Sequence, residues 1–508
     1  MNTVKSVYDG SGDGLIVDIQ SHLANGLPGI QIIGSVGKSL DESKDRIKSA
    51  FASSKIEIPR KKITVNIAPS DLSKSGSQFD VAIALSILLE SGQLKNYQFE
   101  DVAVIGELGL DGQIKSVRGI IGKILIAKKQ GIKKFIIPDK NMKQALLIPK
   151  IWISSFKDLS DLYENLSRQN VEFTDSGTGL EIDIVKHQEL NSVAVDFSDV
   201  IGQESAKRAL EIAAAGQHNV LLSGPPGVGK SMLAKALISI MPPLSRDEII
   251  DITHLHSLVG ASNDALILER PLRSPHHSTS DIALIGGGQK PKPGEVTLSH
   301  CGVLFLDELP EFKRSALESL RQPLEDKLVT VSRAQDRATY PANFILIATK
   351  NPCPCGYYGS SKPCICTPLE IERYNKKLSG PLLDRIDLHV TVDSIDHSAL
   401  LREGIPTGEN SSKIRKRVID TILKQRSRYK SETIRNGNIS NKTLKASSRI
   451  MPEAKELLDK AAEKLDISAR VYMKTVKVAR TIADLDGSED IQTKHITEAL
   501  RYRPLSLS

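Results

Sequence analysis

Aromatic side chains are scarce in this chain: one Trp, ten Tyr and ten Phe make up 4% of its 508 residues. That scarcity argues against recognition dominated by stacking on aromatic platforms, as in single-strand binding folds. Cysteine is scarce too, with five residues. So few thiols in so long a chain give no disulfide framework, and a reducing cytoplasm is expected. No apolar run approaches the ~20 residues of a membrane span, and residues 1–10 are polar, unlike a secretory signal. No membrane partner is therefore expected. A large excess of one charge is also missing: 68 Lys and Arg stand against 61 Asp and Glu, a net charge of +7. This is compatible with nucleic acid without being diagnostic of it.

The length suits about three domains. Residues 1–165 read as one α/β unit, with strands at 63–67, 102–105 and 134–138 and a buried helix at 81–89. Residues 166–195 have weak periodicity and read as a linker. Residues 196–395 carry nucleotide chemistry, and 396–508 turn helical. The expected fold class is α/β, with an N-terminal α/β domain, a doubly wound core and a helical lid.

The most informative segment is Gly224, Pro225, Pro226, Gly227, Val228, Gly229, Lys230 and Ser231, which fills the pattern G-x-x-x-x-G-K-[ST]. Glycines let backbone N–H groups converge on an anion, and the helix that follows adds its positive end. Lys230 is placed to reach the β- and γ-phosphates of ATP, and Ser231 to hold Mg²⁺. The context agrees. Residues 219–223 read as a short buried strand, and Leu233, Leu237 and Met241 recur at helical spacing before Pro242 and Pro243.

A second apolar strand at 303–306 ends in Asp307 and Glu308. After a complete phosphate loop, Asp307 suits the Mg²⁺ shell and Glu308 the activation of water. A third strand, 344–349, runs into Lys350, Asn351 and Pro352. Turn chemistry alone makes Asn351 a strand terminator, while its position also suits a contact to the γ-phosphate. Arg385, between Asp384 and Asp387, reads either as a surface ion pair or as an arginine finger given to a neighbouring subunit.

Together these motifs resemble the AAA+ ATPases of the magnesium-chelatase-like group. More specific stretches at 196–203, 270–277, 284–288, 293–300, 351–356 and 479–485 resemble the ComM/YifB family within that group. The resemblance covers nearly the whole chain. It implies a ring-forming motor, a homohexamer that moves on branched or single-stranded DNA as a helicase in branch migration during natural transformation. It makes Asn351 the first sensor, Arg385 the finger acting in trans and Arg470 the second sensor, with Arg480 as rival. The alternative reading is a chelatase-type motor subunit that remodels a partner enzyme.

The N-terminal region resembles the Lon protease domain through residues 106–115 and 131–134. Gly76 falls where the protease has its nucleophile, with Ser77 one residue later, and Lys115 matches the partner lysine. A nucleophile displaced by one position loses its geometry with the base, so a non-proteolytic domain is expected.

Residues 328–333 and 338–341 read as a hairpin carrying Arg333 and Arg337. A basic stretch (Lys413, Arg415, Lys416, Arg417, Lys424, Arg426, Arg428 and Lys430) reads equally as a solvated helix face or as a DNA backbone contact. Cys353, Cys355, Cys364 and Cys366 follow C-x-C-x₈-C-x-C. Four thiols suffice for structural Zn²⁺, but the usual spacing is C-x₂₋₄-C. Structural zinc and reduced thiols in a compact loop both stay open.

Overall fold

The computed structural model describes residues 2–9, 14–34, 38–69, 76–94, 99, 101–177, 195–260, 266–288, 292–332, 337–360, 362–393 and 408–503. It divides into two units: 1–190 with 245–268 and 332–338, and 191–244 with 269–331 and 339–508.

The first unit is built on β1 (Thr3–Tyr8), β2 (Leu15–Ala24), β3 (Gly29–Ile33), β4 (Lys62–Ala68), β5 (Val102–Val104), β6 (Glu107–Leu108), β7 (Ile114–Lys115), β8 (Lys134–Pro138), β9 (Trp152–Phe156) and β10 (Thr174–Asp175). Eight of these form a mixed sheet in the order β10-β9-β8-β5-β1-β2-β4-β3, and β6 and β7 pair separately. In β4, Ile63, Val65 and Ile67 are buried, while the residues between them are only partly covered. That alternation places one face on the core. The helix Asp80–Glu90 is buried from Asp80 to Leu89, as a helix apolar on nearly every side must be. Asp80 at its start is matched by Arg46 Nε at 2.7 Å.

The helix Arg246–Val259 also belongs to this unit and packs against the helix Ile120–Lys129. The approach is close: a Cβ at Gly122 would lie 2.4 Å from the His254 ring. The segment 244–292 is thus divided, with 245–268 in the first unit and the residues from 269 in the second.

The second unit holds β11 (Val220–Ser223), β12 (Leu272–Arg273), β13 (Gly286–Gly287), β14 (Lys292–Pro293), β15 (Val303–Leu306), β18 (Ile345–Lys350), β19 (Leu388–Thr391) and most of β16 (Leu328–Ser332) and β17 (Arg337–Pro341), whose residues 332 and 337–338 fall in the first unit. Five form a wholly parallel sheet, β12-β15-β18-β11-β19. Alternate residues of its strands enter two separate cores. Val220, Leu222, Val303, Phe305, Ile345 and Ile347 join the helices Glu204–Gly216 and Lys230–Ile240 and the C-terminal helices. Leu221, Leu304, Leu306, Leu346 and Ala348 join residues 309–324 and 378–386. Both faces are therefore covered, which explains why these strands read as unbroken apolar runs.

β16 and β17 form a two-stranded sheet, as the sequence alternation predicts. Arg333 and the Arg337 side chain lie outside the described residues. Among the described residues no helix is long and apolar enough to cross a membrane.

Candidate active site

All strands of a parallel sheet end on the same side, and loops there form the usual binding crevice. The phosphate loop leaves β11 at that carboxyl edge, between β18 and β19. Gly224 passes so close to β19 that a Cβ would lie 2.2 Å from the Val392 carbonyl oxygen. Gly229 takes φ +86°, a conformation that favours glycine, and turns the chain into the helix Lys230–Ile240. Lys230 is buried, and its ammonium donates to the carbonyls of Gly224 (2.5 Å) and Pro225 (2.9 Å) and to Asn351 Oδ1 (3.1 Å). Burial pulls its pKa down from the ordinary lysine value, against the attraction of Asp307 and Glu308.

Ser231 Oγ donates to Asp307 Oδ2 at 3.2 Å. The hydroxyl and the carboxylate thus meet at one point, and hard oxygen donors of this kind suit Mg²⁺. Thr349, at the end of β18, donates to Asp307 Oδ1 (2.6 Å) and accepts the Glu308 N–H (2.9 Å). One hydroxyl therefore fixes both acids. Glu308 has φ +51°, a costly conformation for a residue with a side chain, and the Thr349 contact helps to hold it there. Sequence reasoning treated Thr349 only as a strand residue. The available signal was a hydroxyl side chain at the sheet edge of an otherwise apolar run. Glu308 and Asn351 face a cleft of ≈ 580 Å³ whose far wall includes Arg373 and Tyr374 of the helix Pro368–Asn375.

Arg385 is at the opposite edge. β19 begins beside the start of β11, with Leu388 paired to Val220, and Arg385 precedes it. Asn219 fixes this turn: its Nδ2 donates to the Arg385 carbonyl (3.0 Å) and its Oδ1 accepts the Leu346 N–H (2.9 Å). Asp387 does not pair with Arg385. It accepts the Asn219 N–H (3.0 Å) and pairs with Lys474 (3.2 Å). Burial alone would raise the Asp387 pKa, but Lys474 and His218 hold it well below the carboxylate range.

The Arg385 guanidinium donates to the carbonyls of Arg321 (3.0 Å) and Pro381 (2.6 Å) and to the Glu325 carboxylate. Arg470 approaches the same carboxylate, at 3.7 Å. Both arginines line a second cleft, of ≈ 670 Å³, with Lys474 and Lys477. The four residues of β11 span roughly 13 Å, so the two edges are distinct places. Lys230, Ser231, Asp307, Glu308 and Asn351 converge at one of them; Arg385 and Arg470 meet at the other. The rival Arg480 is fully buried and is held by Asp484 (2.9 Å) and the carbonyls of Ser488 and Glu489 (2.7 Å each), which makes it structural.

The basic stretch lies mainly on the helix Ser411–Tyr429 and is largely turned to internal use. Arg415 donates to the Ser239 carbonyl, Arg417 to Glu211, Lys424 to the Asp484 carbonyl and Arg428 to Asp484. Lys413 pairs with Glu409 and Arg426 with Glu432. These bonds favour the bland reading of a packed and solvated helix. His276 and His277 stack at 4.0 Å between ring centroids and belong to no metal-ligating cluster among the described residues. The sulfur atoms of Cys353, Cys355, Cys364 and Cys366, by contrast, gather within 4.8 Å of one another directly beyond Asn351.

In the N-terminal unit Ser77 donates to Glu107, and Lys115 donates to Gln113 at 2.9 Å. The hydroxyl and the ammonium thus bond to other groups and not to each other, as a Ser–Lys dyad would require. Purified protein is expected to leave casein intact in the presence of ATP, and Ser77→Ala to leave ATP turnover unchanged. ATP-dependent peptide release that Ser77→Ala abolishes would contradict this.

A phosphate loop on one strand of a parallel sheet, an acidic pair on the strand two places away and a polar residue at the end of the strand between them define a P-loop nucleoside triphosphatase. Three family models match in succession: "Subunit ChlI of Mg-chelatase" over residues 19–141, "Magnesium chelatase, subunit ChlI" over 196–400 and "Magnesium chelatase, subunit ChlI C-terminal" over 408–503. Competence protein ComM of Haemophilus influenzae is 40% identical, covering 96% of this chain and 95% of its own length. The uncharacterised YifB of Salmonella typhimurium is 38% identical, covering 96% and 94%. Lon protease 2 of Bacillus subtilis is 30% identical over 148 residues, 27% of this chain and 26% of its own length. The chain belongs to the ComM/YifB family of magnesium-chelatase-like AAA+ proteins.

Proposed function

We propose that the protein is an ATP-hydrolysing, ring-forming motor that works on DNA, a helicase that drives branch migration of recombination intermediates. The observation that carries this reading is the separation of the two half-sites. The phosphate loop and both acids occupy the carboxyl edge of the sheet, while Arg385 and Arg470 share Glu325 at the amino edge. A complete catalytic set then needs two copies of the chain, the amino edge of one facing the carboxyl edge of the next. A head-to-tail contact of this kind closes into a ring when its rotation returns to the first copy, and the family resemblance makes six copies the expected number.

Within the seam, Lys230 exchanges its carbonyl partners for phosphate oxygens, regaining the charge stabilisation that burial withholds. Ser231 and Asp307 would hold Mg²⁺, which would supply positive charge to the phosphate oxygens when bound. Glu308 accepts a proton from the attacking water, and Asn351, already tied to Lys230, orients that water. Arg385 and Arg470 of the adjoining copy stabilise charge on the transferring group.

DNA as the track is supported by kinship to a protein named for competence and by the mild basic excess. ATP turnover is expected to rise on adding forked or four-way DNA, and those substrates to be unwound or migrated. Glu308→Gln should abolish both effects. Turnover indifferent to every DNA structure would point instead to remodelling of a partner enzyme.

A further inference from the structure

The four thiols beyond Asn351 are arranged as a ligand set. Their sulfur atoms all lie within 4.8 Å of one another. Three of the distances are 3.3 Å (Cys353–Cys355), 3.7 Å (Cys353–Cys364) and 3.6 Å (Cys355–Cys364). A tetrahedral ion with metal–sulfur bonds of about 2.3 Å sets its sulfurs about 3.8 Å apart, which these values approach. They are far too long for a disulfide, and all four cysteines are free. A separation under 4.8 Å suits one ion and is too tight to enclose a multi-iron cluster. Backbone N–H groups also point at the sulfurs, from Cys355 to Cys366 Sγ (3.4 Å) and from Tyr358 to Cys353 Sγ (3.3 Å). The C-x-C spacing, unusual for zinc in sequence, is accommodated because both pairs lie in one tight loop and face each other.

We propose that Cys353, Cys355, Cys364 and Cys366 bind one structural Zn²⁺, which braces the γ-phosphate side of the nucleotide site. Each thiol gives up its proton as it binds. Three strips of chain converge on the ion. The first is the end of β18, where Asn351, two residues before Cys353, accepts from Lys230 at 3.1 Å. The second is the phosphate-loop turn. Gly356, at φ +85°, lies so close that a Cβ there would come within 2.8 Å of Pro226. The third is the helix Pro368–Asn375. It begins just after Cys366, capped by Thr367 and Glu370, and carries Arg373 and Tyr374 into the cleft that Glu308 faces. The metal thereby fixes Asn351 and the cleft wall without touching substrate: its ligands are positioning residues. This bracing role rests on the ATPase reading above; the presence of the metal does not.

Elemental analysis of the full-length protein, purified without chelator or added metal, separates the two. About one equivalent of zinc per chain is expected. Cobalt exchanged into the wild-type protein should give the absorption bands of a tetrahedral tetrathiolate site. Less than about a tenth of an equivalent of zinc, iron in its place, or no tetrathiolate spectrum would overturn the site. Cys364→Ser combined with Cys366→Ser should lose the zinc, whereas Cys301→Ser, outside the cluster, should keep it. In the double variant kcat should fall about a hundredfold, the scale of a catalytic group displaced by an ångström, with the affinity for a fluorescent ATP analogue little changed. Equal loss of affinity and turnover, or no loss of turnover in a zinc-free variant, would overturn the bracing role and leave the metal result standing. Should the double variant not fold, removal of zinc from the wild-type protein by a chelator, followed by the same two measurements, decides between these outcomes.

Discussion

Lys230→Ala loses ATP turnover by at least about 10²–10³-fold, the scale for deleting one preorganised charge at a developing anion. The side chain is buried and held within the loop by the carbonyls of Gly224 and Pro225 and by Asn351 Oδ1, which it exchanges in part for phosphate oxygens. Substitution by Ala removes the charge and leaves those acceptors without their donor. Nucleotide affinity falls as well, because the same ammonium serves ground and transition states. Phosphate release and equilibrium binding of a fluorescent nucleotide, measured side by side, check both parts. Turnover near the parent level would mean that the loop is not the catalytic cradle.

Arg385→Ala separates binding from chemistry. An arginine finger contributes about 10³–10⁵ to turnover, while nucleotide bound by the phosphate loop of the same chain does not meet it. The variant is therefore expected to bind ATP normally and to hydrolyse it three or more orders of magnitude more slowly. Arg385→Lys should recover little, since one ammonium cannot reproduce the planar fork. The turn beneath Arg385 is held through its carbonyl and through Asp387, neither of which the substitution alters. Large losses of nucleotide affinity in Arg385→Ala would instead assign the residue to folding or to its own chain's site.

Local patterns made much of this legible in the sequence. The phosphate loop, the acids after β15 and the apolar run of β18 are contiguous, and each reports its own environment. The division of alternate strand residues between two cores follows from the same runs. What escaped depends on partners distant in the chain. Thr349 bridges Asp307 and Glu308 across two strands, and Asn219 ties β18 to the Arg385 turn. Glu325 meets two arginines, 60 residues away in one case. The charges on the helix Ser411–Tyr429 look free in sequence because Glu211, Ser239 and Asp484 are remote from them. The helix Arg246–Val259 joins the N-terminal unit by packing on the helix Ile120–Lys129, where Gly122 leaves room for the His254 ring, a pairing that periodicity cannot express.

The central claim is a catalytic site shared by two copies of the chain, and mixing variants tests it most directly. Arg385→Ala retains an intact phosphate loop and acids, and Glu308→Gln retains an intact finger. Each alone is inactive. In a mixed assembly, the seam where an Arg385→Ala copy offers its nucleotide to the arginines of a Glu308→Gln copy is complete. ATP turnover by the mixture, rising through a maximum as the ratio of the two is varied, is the expected result. A mixture that stays inactive at every ratio, although the two variants are shown to co-assemble, would contradict the account.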